Sequence, residues 1–216
     1  MRIRKKYYWS GLLGLFLVLL IPAMIVFAPP LGGKYLSVQS PPALFIPSYE
    51  ETYAALQNPW GIEPVHVGNI DGETLWLARA MFSESKRHDE QELIGWTVRN
   101  RVEAKHRGCT SYQECILDPF QFSAFLPGRS MQSYYTSLSE TSEVAGWQRT
   151  LALAHYIRHA DERLRPFSRR VLHFYSEQSM LDPALPPDWV GDLTPVIPQR
   201  RIQLDEQRFR FYSGVK

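Results

Sequence analysis

Apolar residues return at steps of three and four along several stretches of the chain, the spacing that builds one face of an α-helix. In Glu73–Lys86 they fall at Leu75, Ala78 and Phe82, with Leu77 and Met81 beside them. Glu90–Lys105 repeats the step through Leu93, Ile94, Thr97, Val98, Arg101 and Val102. Glu143–Leu164 reads as a third long helix, with Trp147, Leu151, Ala154, Ile157 and Ala160 as core positions. A shorter helix fits Ser48–Leu56. Alternation with a period of two comes late. Arg170–Tyr175 reads as a short strand, and Arg201-Ile-Gln-Leu followed by Arg208-Phe-Arg-Phe-Tyr212 reads as a terminal hairpin. Between them, Pro183, Pro186, Pro187, Pro195 and Pro198 make residues 179–199 a loop. The pattern predicts a mainly α fold with a small β element. No internal repeat is visible.

A different pattern marks the first 28 residues. Tyr7 to Ala28 is an uncharged run of 22 residues. As a helix it would span roughly 33 Å, enough to cross a hydrocarbon core. Tyr7, Tyr8 and Trp9 stand where an interfacial aromatic belt is expected. Arg2, Arg4, Lys5 and Lys6 precede the run. The positive-inside rule then keeps Met1 in the cytoplasm and exports the rest. A cleaved signal peptide is the competing reading. Val26-Phe27-Ala28 ends in a small residue, but Pro29-Pro30 follow it and disfavour cleavage. The expectation is a single-pass anchor (residues 7–28) in the cytoplasmic membrane, with the bulk of the chain on the periplasmic or extracellular side. Residues 29–72 hold seven prolines and Gly32-Gly33. They read as an exported spacer, part of which packs back through its aromatics. The domain proper is expected over residues 73–216, long enough for a single core.

Charge narrows the function. Removing the four N-terminal cations leaves 20 Lys+Arg against 22 Asp+Glu. A nucleic-acid-binding domain would carry a basic excess, so no nucleic-acid partner is expected. Cys109 and Cys115 are the only cysteines. In an exported domain they can form a disulfide closing a small loop, or stay as two buried thiols. His155-x-x-x-His159 has a metal-like spacing, but Tyr156 stands where a zincin needs Glu, and the helix is rich in Arg. It reads as a solvated face, with no metal or cofactor expected.

Glu84 carries the chemistry. It lies three residues after Met81 and seven after Leu77, on or beside the apolar stripe. Desolvation there disfavours the carboxylate and raises its pKa. Cleaving a glycosidic bond needs such an acid to protonate the leaving oxygen.

The strings Leu77-Ala-Arg-Ala-Met-Phe-Ser-Glu-Ser85, Val98-Arg-Asn-Arg-Val102 and Gln121-Phe-Ser123 follow in order. His173-Phe-Tyr175, Pro187-Asp-Trp189 and Arg208-Phe-Arg-Phe-Tyr212 come after them. Together they resemble the SleB-type cell-wall hydrolases, the spore-cortex-lytic relatives, over about residues 73–212. The resemblance implies a lysozyme-like fold, peptidoglycan glycan strands as partner, and one catalytic glutamate, which falls on Glu84. It implies lytic transglycosylase chemistry at the bond between N-acetylmuramic acid and N-acetylglucosamine. Glu84 would protonate the bridging oxygen, then act as base while the sugar's 6-hydroxyl attacks C1. Gln121 and Ser123 would bond N-acetyl groups, and Phe122 would pack beneath or against a sugar. His173 and Tyr175 would face the groove, Tyr175 supporting the charged intermediate or orienting Glu84, with Trp189 on its wall. Asn100 and Arg101 would be structural. The chain departs from the family after Glu84: Ser85-Lys-Arg-His-Asp-Glu90 replaces a "GE" pair and a longer connector. Either Glu90 or Asp89 replaces the family's second acid, or nothing does. This departure keeps a second reading open, a non-catalytic wall-binding or scaffold protein. A metal-dependent amidase is a third.

Overall fold

Capping side chains set where the first two helices begin. Ser48 opens α1 (Tyr49–Gln57) with a reciprocal capping box. The Glu51 amide donates to the Ser48 hydroxyl at 3.2 Å, and the Ser48 amide donates to the Glu51 carboxylate at 2.8 Å. Asp71 opens α2 (Gly72–Glu84), accepting from the Thr74 amide at 2.9 Å. After three intervening residues α3 (His88–Glu103) begins. Ser85 holds the tight corner between the two. Its hydroxyl donates to Glu90 and accepts from the Arg87 amide, and its carbonyl accepts from Gln91 at 2.7 Å. This corner fixes the end of α2, where Glu84 sits.

The computed structural model describes residues 44–180, 185–199, 202, 204–205 and 208–215. The expected anchor (residues 7–28) and the start of the spacer lie outside these residues. Among the described residues, no helix is long and apolar enough to cross a membrane.

The fold is mainly helical with a two-stranded sheet. α2 is central: Thr74, Leu75, Leu77, Ala78, Ala80, Met81 and Phe82 are all buried. A helix apolar on most sides is a core helix rather than a surface one. α3, α4 (Tyr112–Leu117) and α6 (Trp147–His159) pack around it, and α5 (Gln132–Ser137) touches its end. Trp96 and Trp147 are fully buried in the shared core. α3 packs tightly at Gly95, where a Cβ would come within 2.9 Å of Ile157 Cδ1 and 3.0 Å of Met81 Sδ. Gly95→Val is expected to destabilise by about 1–3 kcal/mol, since the packed Ile157 and Met81 side chains would have to shift within the core. Urea unfolding checks this, and an unchanged midpoint would contradict the packing described.

β1 (Val171–Tyr175) pairs antiparallel with β2 (Arg210–Ser213), placing His173 opposite Tyr212 and Phe174 opposite Phe211. A two-stranded sheet is marginal alone. Here α3 supports it. The Asn100 amide donates to Ser168 O at 3.2 Å and Val171 O at 2.9 Å, and Arg101 Nε donates to Leu172 O at 2.7 Å. Cys109 and Cys115 are joined as a disulfide across the entry to α4.

Four features differ from the sequence reading. Residues 44–72 are not an extended spacer, because Thr52, Leu56, Pro59, Ile62 and Ile70 are buried. They belong to the compact unit, which begins near residue 42 rather than 73. The third long helix is shorter than Glu143–Leu164: Gly146 has a positive φ of 80° and caps its start, and Ala160 turns extended at its end. The C-terminal strand pairs with β1 rather than within a local hairpin. The short helices α4 and α5 were not foreseen.

Candidate functional site

Glu84 is the last residue of α2, half-buried, on the wall of an open cleft of about 710 Å³. Ser83, Lys86, Arg87, Tyr135, Gln178, Asp205 and Arg208 share that wall. Burial pushes the Glu84 carboxyl up to about 7, against the opposing pull of Arg101 and Lys86. At neutral pH the group therefore populates both forms, the condition for a proton donor that must also accept. Lys86 lies over the Phe82 ring, 3.6 Å from its centre, and donates to Phe82 O. Its own pKa is lowered by burial.

Neither candidate second acid stands beside Glu84 as a free group. Glu90 is almost wholly buried and accepts from Arg208 Nε at 2.7 Å, from Arg87 and from the Ser85 hydroxyl. These partners hold it below the usual carboxylate range despite its burial. Glu90 is thus an ionised tie between α3, the α2–α3 corner and the approach to β2. Asp89 faces a neighbouring cleft with Trp60 and His88. Asp205 is the second carboxylate lining the Glu84 cleft, 3.4 Å from Arg87 Nη1. Sequence reading missed it, because it lies 121 positions from Glu84 in an irregular segment.

Gln121, His173 and Trp189 come together, but in another cleft of about 510 Å³, with Arg101, His106, Arg107, Phe120 and Phe174. Trp189 packs edge-on against Tyr175 and Tyr212, and its ring centre is 5.4 Å from that of His173. Phe122 is a correction: its ring is buried among Phe125, Phe174 and the Arg101 guanidinium, so it offers no face to a sugar. Tyr175 is also buried, stacked on Tyr212, and does not line the Glu84 cleft. Its register two residues from His173 places both against Trp189 rather than against the acid. Ser123 is exposed at the start of a short turn.

Arg101 links the two clefts. It lines the second, and its charge acts on Glu84 in the first. It is almost fully buried between the Phe122 and Phe174 rings, and burial lowers its pKa to about 10. Its place in the apolar stripe of α3 was the available signal, read there as structural. Asn100 has only the structural part, accepting from Arg165 and holding β1.

Phe120 is exposed to 86% and has a φ of 67°. A bulky residue in the left-handed region costs on the order of 1 kcal/mol or more. Burial does not compensate it here. Phe120→Gly is therefore expected to leave the unfolding temperature unchanged or raised, checked by thermal melts; a fall of several degrees would show that the ring stabilises the fold. Among the described residues, no group of three or more His, Cys, Asp or Glu is placed to hold a metal ion. His155 and His159 lie with ring centres 4.8 Å apart, beside an Arg158–Asp71 ion pair. Comparison with protein-family models, curated proteins and solved structures finds no match.

Proposed function

We propose that the protein is a membrane-anchored enzyme that cleaves peptidoglycan glycan strands, with Glu84 as its general acid. Residues 7–28 would hold it in the cytoplasmic membrane and the described domain would work outside the cytoplasm. The observation that carries this reading is a desolvated carboxyl at a rigid helix end, opening on a cleft large enough for sugar rings. A raised carboxylic acid on a rigid element is what protonation of a glycosidic oxygen requires. Lytic transglycosylase chemistry asks for no second carboxylate. Glu84 gives its proton to the bridging oxygen as that bond breaks. It then takes a proton from the 6-hydroxyl as this oxygen bonds to C1, leaving a 1,6-anhydro end.

Asp205 favours one further reading. A second carboxylate on the same cleft wall would suit a muramidase that uses water, with Asp205 as base or nucleophile. The nature of the new chain end separates the two.

The pH dependence of cleavage tests the role of Glu84. The first step needs its protonated form. Clearing of purified peptidoglycan by the full chain in detergent is thus expected to slow as pH rises through about 7. Beyond pH 8 the loss should approach about tenfold per unit. A rate that stays flat from pH 6 to 9 would rule Glu84 out as the proton donor.

A further inference from the structure

We propose that the cleft around Arg101 is a subsite for a carboxylate carried on an N-acetylated sugar or on its peptide substituent. The choice of sugar rests on the peptidoglycan reading above; the choice of carboxylate rests on the cleft itself.

Arg101 is 4% exposed, lines this cleft, and spends only Nε on the backbone, at Leu172 O. Its Nη1 has no hydrogen-bond partner among the described residues. A buried guanidinium nitrogen without a partner is a rare exception that calls for one. His173, on the same lining, leaves a buried Nδ1 unpartnered as well. Two side chains of one cleft lining thus each keep a buried, orphaned polar atom, and a polar ligand seated between them would complete both.

Charge selects the ligand. Arg101 and Arg107 are the cations of this wall. Arg107 Nε is taken by Asp118 at 2.5 Å. His106 and His173 sit edge to face, 5.1 Å apart, and burial together with Arg101 holds both neutral at pH 7. The described lining thus carries two cations and no carboxylate: Asp118 ties Arg107, while Glu84 and Asp118 act on Arg101 through their charge alone, from outside the lining. That balance suits a monoanion, and a carboxylate matches the fork of a guanidinium. A phosphate dianion would be left half unmatched. The Gln121 side chain adds amide donor and acceptor groups.

The walls fit a sugar carrier. Phe120 stands out in solvent from a turn whose backbone disfavours it, and Trp189 is pinned by His173, Tyr175 and Tyr212. Rigid aromatic faces beside a buried charge are the makings of a specific pocket. In peptidoglycan a carboxylate has two sources: the free lactyl group of N-acetylmuramic acid, or the peptide attached to that group.

Calorimetric titration of the full chain in detergent tests this with three probes: N-acetylmuramic acid, its methyl ester, and N-acetylmuramyl-L-alanyl-D-isoglutamine. The ester should bind at least tenfold more weakly than one of the other two. A preference for the free acid names the lactyl carboxylate, and one for the dipeptide alone names the peptide carboxylate. Arg101→Gln should reduce the preference to under twofold. Because that variant also loses a core contact, the comparison of acid and ester on the unaltered chain stands as evidence without it. Equal binding of all three probes, or none at millimolar concentration, overturns the proposal. The readout is binding, so it separates from turnover. A carboxylate preference in a chain that cuts no peptidoglycan would leave the subsite standing and remove the enzyme reading. Cleavage without the preference would do the reverse.

Discussion

Glu84→Gln is expected to lower the rate of peptidoglycan cleavage by roughly 10²–10⁴-fold while the chain stays folded. The amide keeps the size of the acid and cannot deliver its proton. The same variant makes a second, independent expectation about stability. In the folded chain the Glu84 carboxyl is pushed up to about 7 from 4.5, mainly by burial. The folded state therefore binds this proton more tightly than the unfolded state. Its contribution is fully present below pH 4.5 and is lost as pH rises through about 7. Glutamine does not titrate. Stability of the variant relative to the parent should thus improve from pH 4 to pH 8, by on the order of 1–3 kcal/mol once partial exposure is allowed for. Urea unfolding at the two pH values checks this. A site that sacrifices stability for chemistry behaves in this way. The same relative stability at both pH values would mean that Glu84 has an ordinary carboxyl.

Glu90→Gln should act in the opposite sense, as a loss of fold rather than of chemistry. Glu90 is 1% exposed and its oxygens are bound by Arg208, Arg87 and the Ser85 hydroxyl. Removing the charge leaves Arg208 without its ion partner and loosens the corner that positions Glu84. Breaking a buried pair by deleting one member costs about 3–5 kcal/mol, and Arg208's partial exposure brings this to about 2–4. For a chain of this size that is a fall in Tm of roughly 5–15 °C. Arg208→Gln should cost less alone and add little on top of Glu90→Gln, as expected for partners in one network. Cleavage per folded molecule should stay within about tenfold of the parent for Glu90→Gln, far above the level left by Glu84→Gln. If Glu90→Gln instead melts normally and abolishes cleavage, Glu90 is the second acid after all.

The helical part of this arrangement was legible because its signal is local. α2 and α3 were placed to within about two residues by their apolar steps, and Glu84 fell at the end of α2 for the same reason. α4 and α5 were not, since six residues make fewer than two turns and show no period. The sheet was half legible. Val171–Tyr175 alternates, but its partner lies at Arg210–Ser213, and no local rule supplies a pairing over that distance. Glu90 reads in the sequence as a candidate second acid, not as a buried ionic tie. Its burial depends on Arg208, 118 residues away. The grouping of site residues failed for a similar reason. Gln121, His173 and Trp189 were assigned to the groove of Glu84, yet tertiary packing puts them in a cleft of their own. Phe122 stands between two polar positions and still turns into the core, because Phe125 and Phe174 meet it there.

Mass spectrometry of the soluble products from purified peptidoglycan, treated with the full chain or with Glu84→Gln, tests the central claim most directly. The account predicts 1,6-anhydro muropeptides from the parent and none from the variant. Reducing-end muropeptides would keep Glu84 as the acid and turn attention to Asp205 as its partner. Products of equal amount from both proteins, or none from either while both sediment with the wall, would contradict the assignment of Glu84 as a catalytic acid.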